Sequence, residues 1–249
     1  MSIKFNFVNN KFDLKKQSLP SRHYFFNETE NYIKLLNIGE GIFPKDRVKT
    51  YFSLKDSSLV LTTESATKIY SSKKEYGINS FNINLENSNL EFINDELILY
   101  KNSKYVQTFR LIFDENSTFF YTDILSKGRS FENFDFTSML IKNSFYKNKK
   151  LEYIEKFDIS GKELKNYIFR KNIKNYFFAK IYIKINHIDC FLDILHLEEF
   201  ESFTYSCNKQ IIIASISSDC MSILKKKIDY IWKLYRKQLC KKEFILGKQ

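Results

Sequence analysis

Residues 81–100 read FNINLENSNLEFINDELILY. Phe81, Ile83 and Leu85 alternate with Asn82 and Asn84, the period of a strand with one apolar face. Glu86 to Asn89 supplies turn residues, and Leu90 to Tyr100 begins another β segment. Lys49 to Leu61, Val106 to Phe113 and Thr118 to Leu125 are further strand candidates. Asp56-Ser57-Ser58, Lys101 to Lys104 and Asp114 to Ser117 are the turns between them. Strands this closely spaced predict meandering antiparallel sheets.

Beyond residue 131 the alternation weakens, and Gly161 to Asn175 is the place for a short helix. Lys180 to Ile185 alternates again, and Gln210 to Ile216 is a continuous apolar run suited to a strand buried on both faces. Phe119-Phe120-Tyr121 and Ile211-Ile212-Ile213 would invite aggregation if they lay exposed at a sheet edge. Met221, Leu224, Ile228, Ile231, Trp232, Tyr235 and Leu239 fall on one face of an amphipathic helix, with Ser217, Ser218 or Asp219 as its cap. Neither an internal repeat nor a linker is visible, so residues 1–249 read as one domain.

Hydrophobic residues make up 43% and aromatic residues 17% of the chain, enough for a sizeable core. Only 6 Gly and 2 Pro are present, so Asn, Asp and Ser must carry the turns. The net charge is +11. From Met221 onward nine Lys or Arg stand against Asp229 and Glu243, which places seven of those charges at the C-terminus. The net charge suits a nucleic-acid or membrane-surface binding protein, but a composition rich in Lys, Asn, Ile, Phe and Tyr, all with AT-rich codons, and without an arginine stripe, favours compositional drift. A basic amphipathic helix can lie on a membrane or dock a partner; the blander and favoured reading is a helix packed on its own sheet with a solvated lysine face. This reading has no nucleic-acid partner and no membrane partner.

Cys190, Cys207, Cys220 and Cys240 form no CxxC pair, and Cys190 and Cys207 read as small core residues. His187-x-x-Cys190 has metal-compatible spacing, but on a β segment the two would face opposite sides. His23 and His196 are the remaining histidines. No phosphate loop, nucleophile elbow or HExxH is present, so no enzyme and no catalytic residue is expected. An N-terminus without an apolar signal region, and apolar runs too short to span a bilayer, predict a cytoplasmic protein with reduced thiols.

Three segments carry a resemblance. Gly39-Glu40-Gly41-Ile42-Phe43-Pro44-Lys45-Asp46 is similar to a glycine-rich run ending in Gly-Asp. Leu61-Thr62-Thr63-Glu64-Ser65-Ala66-Thr67-Lys68-Ile69-Tyr70 is close to an LTTQ-x-A-x-K-x-Y pattern. The third begins at Leu90-Glu91-Phe92-Ile93 and runs through Lys127-Gly128-Arg129 and Glu132 to Phe134. In order and spacing these resemble the UreD (UreH) family of urease accessory proteins. Asn94 stands where that family has proline, Lys45 where it has glycine, and Glu132 lies closer to Arg129 than the usual acid.

The resemblance implies a mainly β fold, of stacked sheets with β-helix-like character, joined by a short helix and the C-terminal amphipathic helix. It implies a scaffold or chaperone that binds a UreF-type accessory protein, a UreG-type GTPase and apo-urease, so that nickel enters the urease active site. Nickel would be in transit, with no permanently bound cofactor, and no motif fixes its ligands. The motif residues Gly39, Gly41, Asp46, Thr62, Thr63, Ala66, Lys68, Tyr70, Gly128, Arg129 and Glu132 are expected to serve structure or partner binding. Read physically, the Thr62 and Thr63 hydroxyls bond nearby backbone, Lys68 meets a carboxylate, and Arg129 pairs with Glu132 at a turn.

Overall fold

In the computed structural model the described residues are 1–37, 41–196 and 202–247. Strands β1 (Ser2–Val8), β2 (Lys11–Gln17), β3 (Ser21–Phe26) and β4 (Tyr32–Asn37) open the chain. Next come β5 (Arg47–Lys55), β6 (Ser58–Thr63), β7 (Thr67–Ile69), β8 (Gly77–Glu86) and β9 (Asn89–Ile93). They lead to β10 (Leu97–Leu99), β11 (Lys104–Phe113), β12 (Thr118–Ser126), β13 (Ser138–Lys147) and β14 (Lys150–Ile159). The remainder is α1 (Gly161–Arg170), β15 (Phe177–Lys184), α2 (Ile188–His196), β16 (Phe203–Tyr205), β17 (Ile212–Ser218) and α3 (Met221–Gln238).

Two sheets stack face to face. One has the order β14-β13-β11-β8-β5-β1-β2, and the other runs β16-β17-β15-β12-β9-β6-β4-β3, with β10 and β7 beside β12. The mainly β, stacked architecture is as the resemblance implies, but strand direction is not the antiparallel one that the spacing predicts. β1, β5, β8, β11 and β13 pair in parallel, as do β4, β6, β9 and β12, and antiparallel pairing is kept for the flanks. The reason is the path. β5, β8 and β11 are each followed by a strand of the other sheet, so in-sheet neighbours are one coil apart and point the same way.

The coil amounts to a structural repeat that side-chain identities conceal. It is visible in the turns. Ser57 N–H donates to Ser88 Oγ at 3.1 Å across 31 residues, and Ser88 N–H donates to Ser117 Oγ at 3.1 Å across 29. Asp56 and Asn87 both adopt positive φ, 47° and 46°, and Asn87 Nδ2 donates to Asp56 Oδ1 at 2.7 Å. Asx residues tolerate this conformation, which is how a glycine-poor chain turns so often.

Inward ladders fill the space between the sheets. Phe5 stacks on Phe52, and Phe109 of one sheet stacks on Tyr121 of the other with centroids 3.7 Å apart. Each fully buried side chain of this size contributes about 1.5–3 kcal/mol. Phe119-Phe120-Tyr121 and Ile211-Ile212-Ile213, which the sequence marks as possible exposed edges, are interior. β12 lies between β9 and β15, and β17 between β15 and β16. The true edges are β2, β14, β3 and β16.

α1 starts where expected, with a capping box between Ser160 and Glu163. α3 buries Leu224, Ile228, Ile231, Trp232 and Tyr235 against the second sheet. Its N-cap is Cys220 rather than Ser217, Ser218 or Asp219, and no side chain caps it; Ser218 Oγ instead accepts from Cys220 N–H. α2 was not expected. Phe191, Leu192 and Leu195 form its buried face, and Cys190 is exposed, so this segment is helix rather than strand. Cys207 is exposed too, and neither cysteine is a core residue.

α3 is fixed by a buried ionic cluster. Arg236 and Glu91 are 1% and 0% exposed. Arg236 Nη1 and Trp232 Nε1 donate to Glu91 Oε2 at 2.6 and 2.7 Å, and Lys241 Nζ donates to Glu91 Oε1 at 2.6 Å. Arg236 Nη2 also donates to Glu30.

Candidate functional site: an aromatic–cation surface beside a polar cavity

The three segments quoted for the resemblance lie far apart in sequence and meet at one end of the stacked sheets. Gly39 falls outside the described residues. Gly41 packs so closely on the backbone of β7 that a Cβ there would sit 2.3 Å from the Lys68 carbonyl oxygen. That closeness lets Ile42 N–H donate to Lys68 O at 2.8 Å and Tyr70 N–H to Ile42 O at 3.1 Å. Asp46 holds the preceding turn, its carboxylate accepting from Phe43 N–H at 2.9 Å. Lys45 adopts φ +73°, the conformation a glycine takes freely, at the position where the sequence departs from the family pattern.

Phe43, 44% exposed, then stacks on Tyr70 at 4.2 Å, and Tyr70 meets the edge of Tyr100 at 5.2 Å. The Arg129 guanidinium lies 4.1 Å over the Tyr100 ring. Gly128, at φ +120°, makes the turn that brings it there. Arg129 pairs with Glu132 as expected: Nε and Nη2 donate to Oε1 at 3.2 and 3.0 Å, and its backbone N–H donates to Oε2 at 3.2 Å. The closer spacing of Glu132 suits this tight loop. Arg129 itself is 59% exposed. Aromatics and arginine together have the composition of an interface hot spot.

Between the sheets lies a polar cavity of about 80 Å³ whose wall includes Gly41, Thr63, Ala66, Asp95, Gln107 and Asp123. Thr62 Oγ donates to Ile93 O at 2.6 Å, while Thr63 Oγ accepts from Asp95 N–H at 2.9 Å and donates to its carboxylate at 3.3 Å. The expected hydroxyl-to-backbone bonds thus reach across to the next coil. Asn94 donates its N–H to Thr122 Oγ and its Nδ2 to Thr122 O, both at 3.0 Å. A proline could do neither. Lys68 is half-buried, with its carbonyl in the Ile42 bridge.

Asp123 was not singled out in the sequence. It accepts from Gln107 Nε2 at 2.9 Å, Tyr121 OH at 2.6 Å and Asn143 Nδ2 at 2.6 Å. Burial pushes its carboxyl above the usual range despite these bonds. Tyr182 extends the network to Glu155. The signal was present: Asn79, Gln107 and Asn143 are polar residues in the inward, apolar phase of β8, β11 and β13. No group of three or more His, Cys, Asp or Glu among the described residues is placed to hold a metal. No helix among them is long and apolar enough to cross a membrane.

Comparison with known proteins identifies the family. The family model for the UreD urease accessory protein matches residues 16–247. A urease accessory protein UreD of Aliarcobacter butzleri (strain RM4018) is 66% identical over 250 residues, covering 100% of both chains. One from Staphylococcus saprophyticus is 26% identical over 221 residues, covering 78% of each, and one from Staphylococcus epidermidis is 33% identical over 136 residues, covering 49% of each. The chain belongs to the UreD family of urease accessory proteins, and its role lies in urease maturation.

Proposed function

We propose that the chain is a non-catalytic cytoplasmic scaffold that binds a UreF-type accessory protein, a UreG-type GTPase and apo-urease, and so enables nickel insertion into urease. The observation that carries this reading is the meeting of the three motif segments in one aromatic–cation surface, with Phe43 and Arg129 exposed, beside a polar cavity that Gly41 and Ala66 help to line. The surface offers partners ring faces and a cation. The cavity offers oxygen donors, Asp95 and Asp123 among them, of the kind that suit a hydrated divalent cation in passage. Nickel is cargo in this reading, and no resident cofactor is needed.

The test is co-expression of urease with the other accessory proteins, with and without this chain, under limiting nickel. Without it, urease assembles but holds little nickel. Normal nickel content in that urease refutes the assignment.

A further inference from the structure

The outer face of the first sheet is bare. Along β1, β5, β8, β11 and β13, burial alternates residue by residue, and the outward positions are exposed or half-buried over most of their length. In a coil of this kind the parallel strands bury only their inner face, which leaves the outer face open to a partner.

The register of the strands sets out what this face offers. One row across it is Lys4, Tyr51, Asn82 and Arg110, and the neighbouring row includes Lys49, Ser80, Thr108 and Lys142. Neither row holds a carboxylate. Among the described residues no ion pair reaches Lys4, Lys49, Arg110 or Lys142; Arg110 lies instead over the Tyr146 ring at 4.9 Å. Lys4 and Arg110 stand three strands apart, roughly 14 Å, at the sides of a shallow groove of about 220 Å³ floored by Tyr51, Asn82 and Asn84.

The C-terminal helix, where the sequence concentrates positive charge, behaves differently. Lys225 pairs with Asp95 and Glu96, Lys233 with Asp229, and Arg236 with Glu91 and Glu30; Lys241, just beyond the helix, also pairs with Glu91. Much of that charge is spent inside the molecule. Lys4, Lys49, Arg110 and Lys142 on the sheet face have no such carboxylate partner among the described residues.

We infer that this face docks an acidic protein surface, carboxylates meeting the four cations and polar groups meeting the amides and hydroxyls between them. Charge complementarity is the warrant. From Lys4 to Arg110 and from Lys49 to Lys142 the two rows hold no large exposed apolar side chain; Val8 at the end of β1 and Ile154 on β14 are exposed only at the margins of the face, and its tyrosines lie half-buried rather than free to stack on bases. The inference rests on the scaffold reading above, because it supplies one of that scaffold's protein contacts.

The experiment uses the full chain and a variant carrying Lys4→Gln, Lys49→Gln, Arg110→Gln and Lys142→Gln, checked for wild-type melting. Should that variant melt early, the pair Lys4→Gln/Lys142→Gln replaces it. Each is titrated at 50 mM and 500 mM salt against purified apo-urease, the UreF-type protein and the UreG-type GTPase. Parallel arms use vesicles of phosphatidylserine and phosphatidylcholine, and a 20-base-pair DNA duplex. The wild-type chain binds one of the three proteins in a salt-dependent way, and the variant loses about tenfold or more of that affinity at low salt. A variant that binds all three proteins like the wild type overturns this inference and leaves the scaffold reading standing. So does a loss seen only for vesicles or DNA. A wild-type chain that binds none of the three overturns both.

Discussion

Replacing Arg236 with Met tests the cluster that holds α3 to the second sheet. The change keeps most of the aliphatic stem and removes three anchors: the 2.6 Å bond to Glu91, the bond to Glu30 and the 2.9 Å bond from Nε to the Lys242 carbonyl. Glu91 is fully buried, so it loses a counterion without gaining water. Breaking such a pair costs about 3–5 kcal/mol. Lys241 still donates to Glu91 at 2.6 Å and Trp232 at 2.7 Å, which places the cost near the lower end. About 3 kcal/mol in a chain of this size is a fall in Tm of roughly 6–12 °C. The assay is thermal unfolding by circular dichroism at fixed pH and salt. Because the residues share one network, the double variant Arg236→Met/Glu91→Gln should cost less than the sum of the singles, by about 1–3 kcal/mol. A single variant within about 1 kcal/mol of wild type, or strictly additive costs, would show that the cluster is not what fixes the helix.

Arg129→Ala should lower stability by no more than about 1–2 kcal/mol, since an exposed pair and one cation–π contact are all it loses. It should weaken binding to an accessory partner far more than it lowers Tm; unchanged binding with an unchanged melt rejects both roles. His23 packs edge-on to Phe5 at 4.9 Å, and burial holds its pKa below the ordinary value of 6.5. The folded state therefore binds the proton less readily than the unfolded one, and stability is lost as pH falls through that value and toward the lower folded pKa. His23→Phe should lose less Tm than wild type between pH 7.5 and 5.5, and equal losses would rule out the histidine as the cause. The lone chain should be poorly soluble and gain solubility with a UreF-type partner, because edge strand β14 exposes Leu151, Ile154 and Phe157. Ile154→Lys should raise the soluble yield of the lone chain at unchanged Tm, and a soluble, monodisperse wild-type chain that ignores the partner would contradict this.

The sequence by itself determined most strands between residues 49 and 125 and those at 180–185 and 210–216, the turns between them, and which face of the last helix is buried. Alternation at period two and apolar spacing at three and four are local properties, and burial in the structure follows them at Phe81, Ile83 and Leu85 and at Leu224, Ile228 and Ile231. The motif segments and the Arg129–Glu132 pair were legible for the same reason, being contiguous or three residues apart. Only the tertiary structure decided strand direction, because alternation says which face is apolar and nothing about which strand lies alongside. The coil was hidden because the repeat resides in backbone path and in scattered Asx and Ser turns rather than in repeated side chains. α2 was obscured by a short apolar run, which fits strand or helix equally until it packs. The convergence of Phe43, Tyr70, Tyr100 and Arg129, the inward carboxylate of Asp123, and the Arg236–Glu91 pair across 145 residues are products of which coil lies on which. No local pattern encodes that choice; it is made by the joint burial of both sheets, where each strand's apolar face is satisfied only by partners far away in the chain.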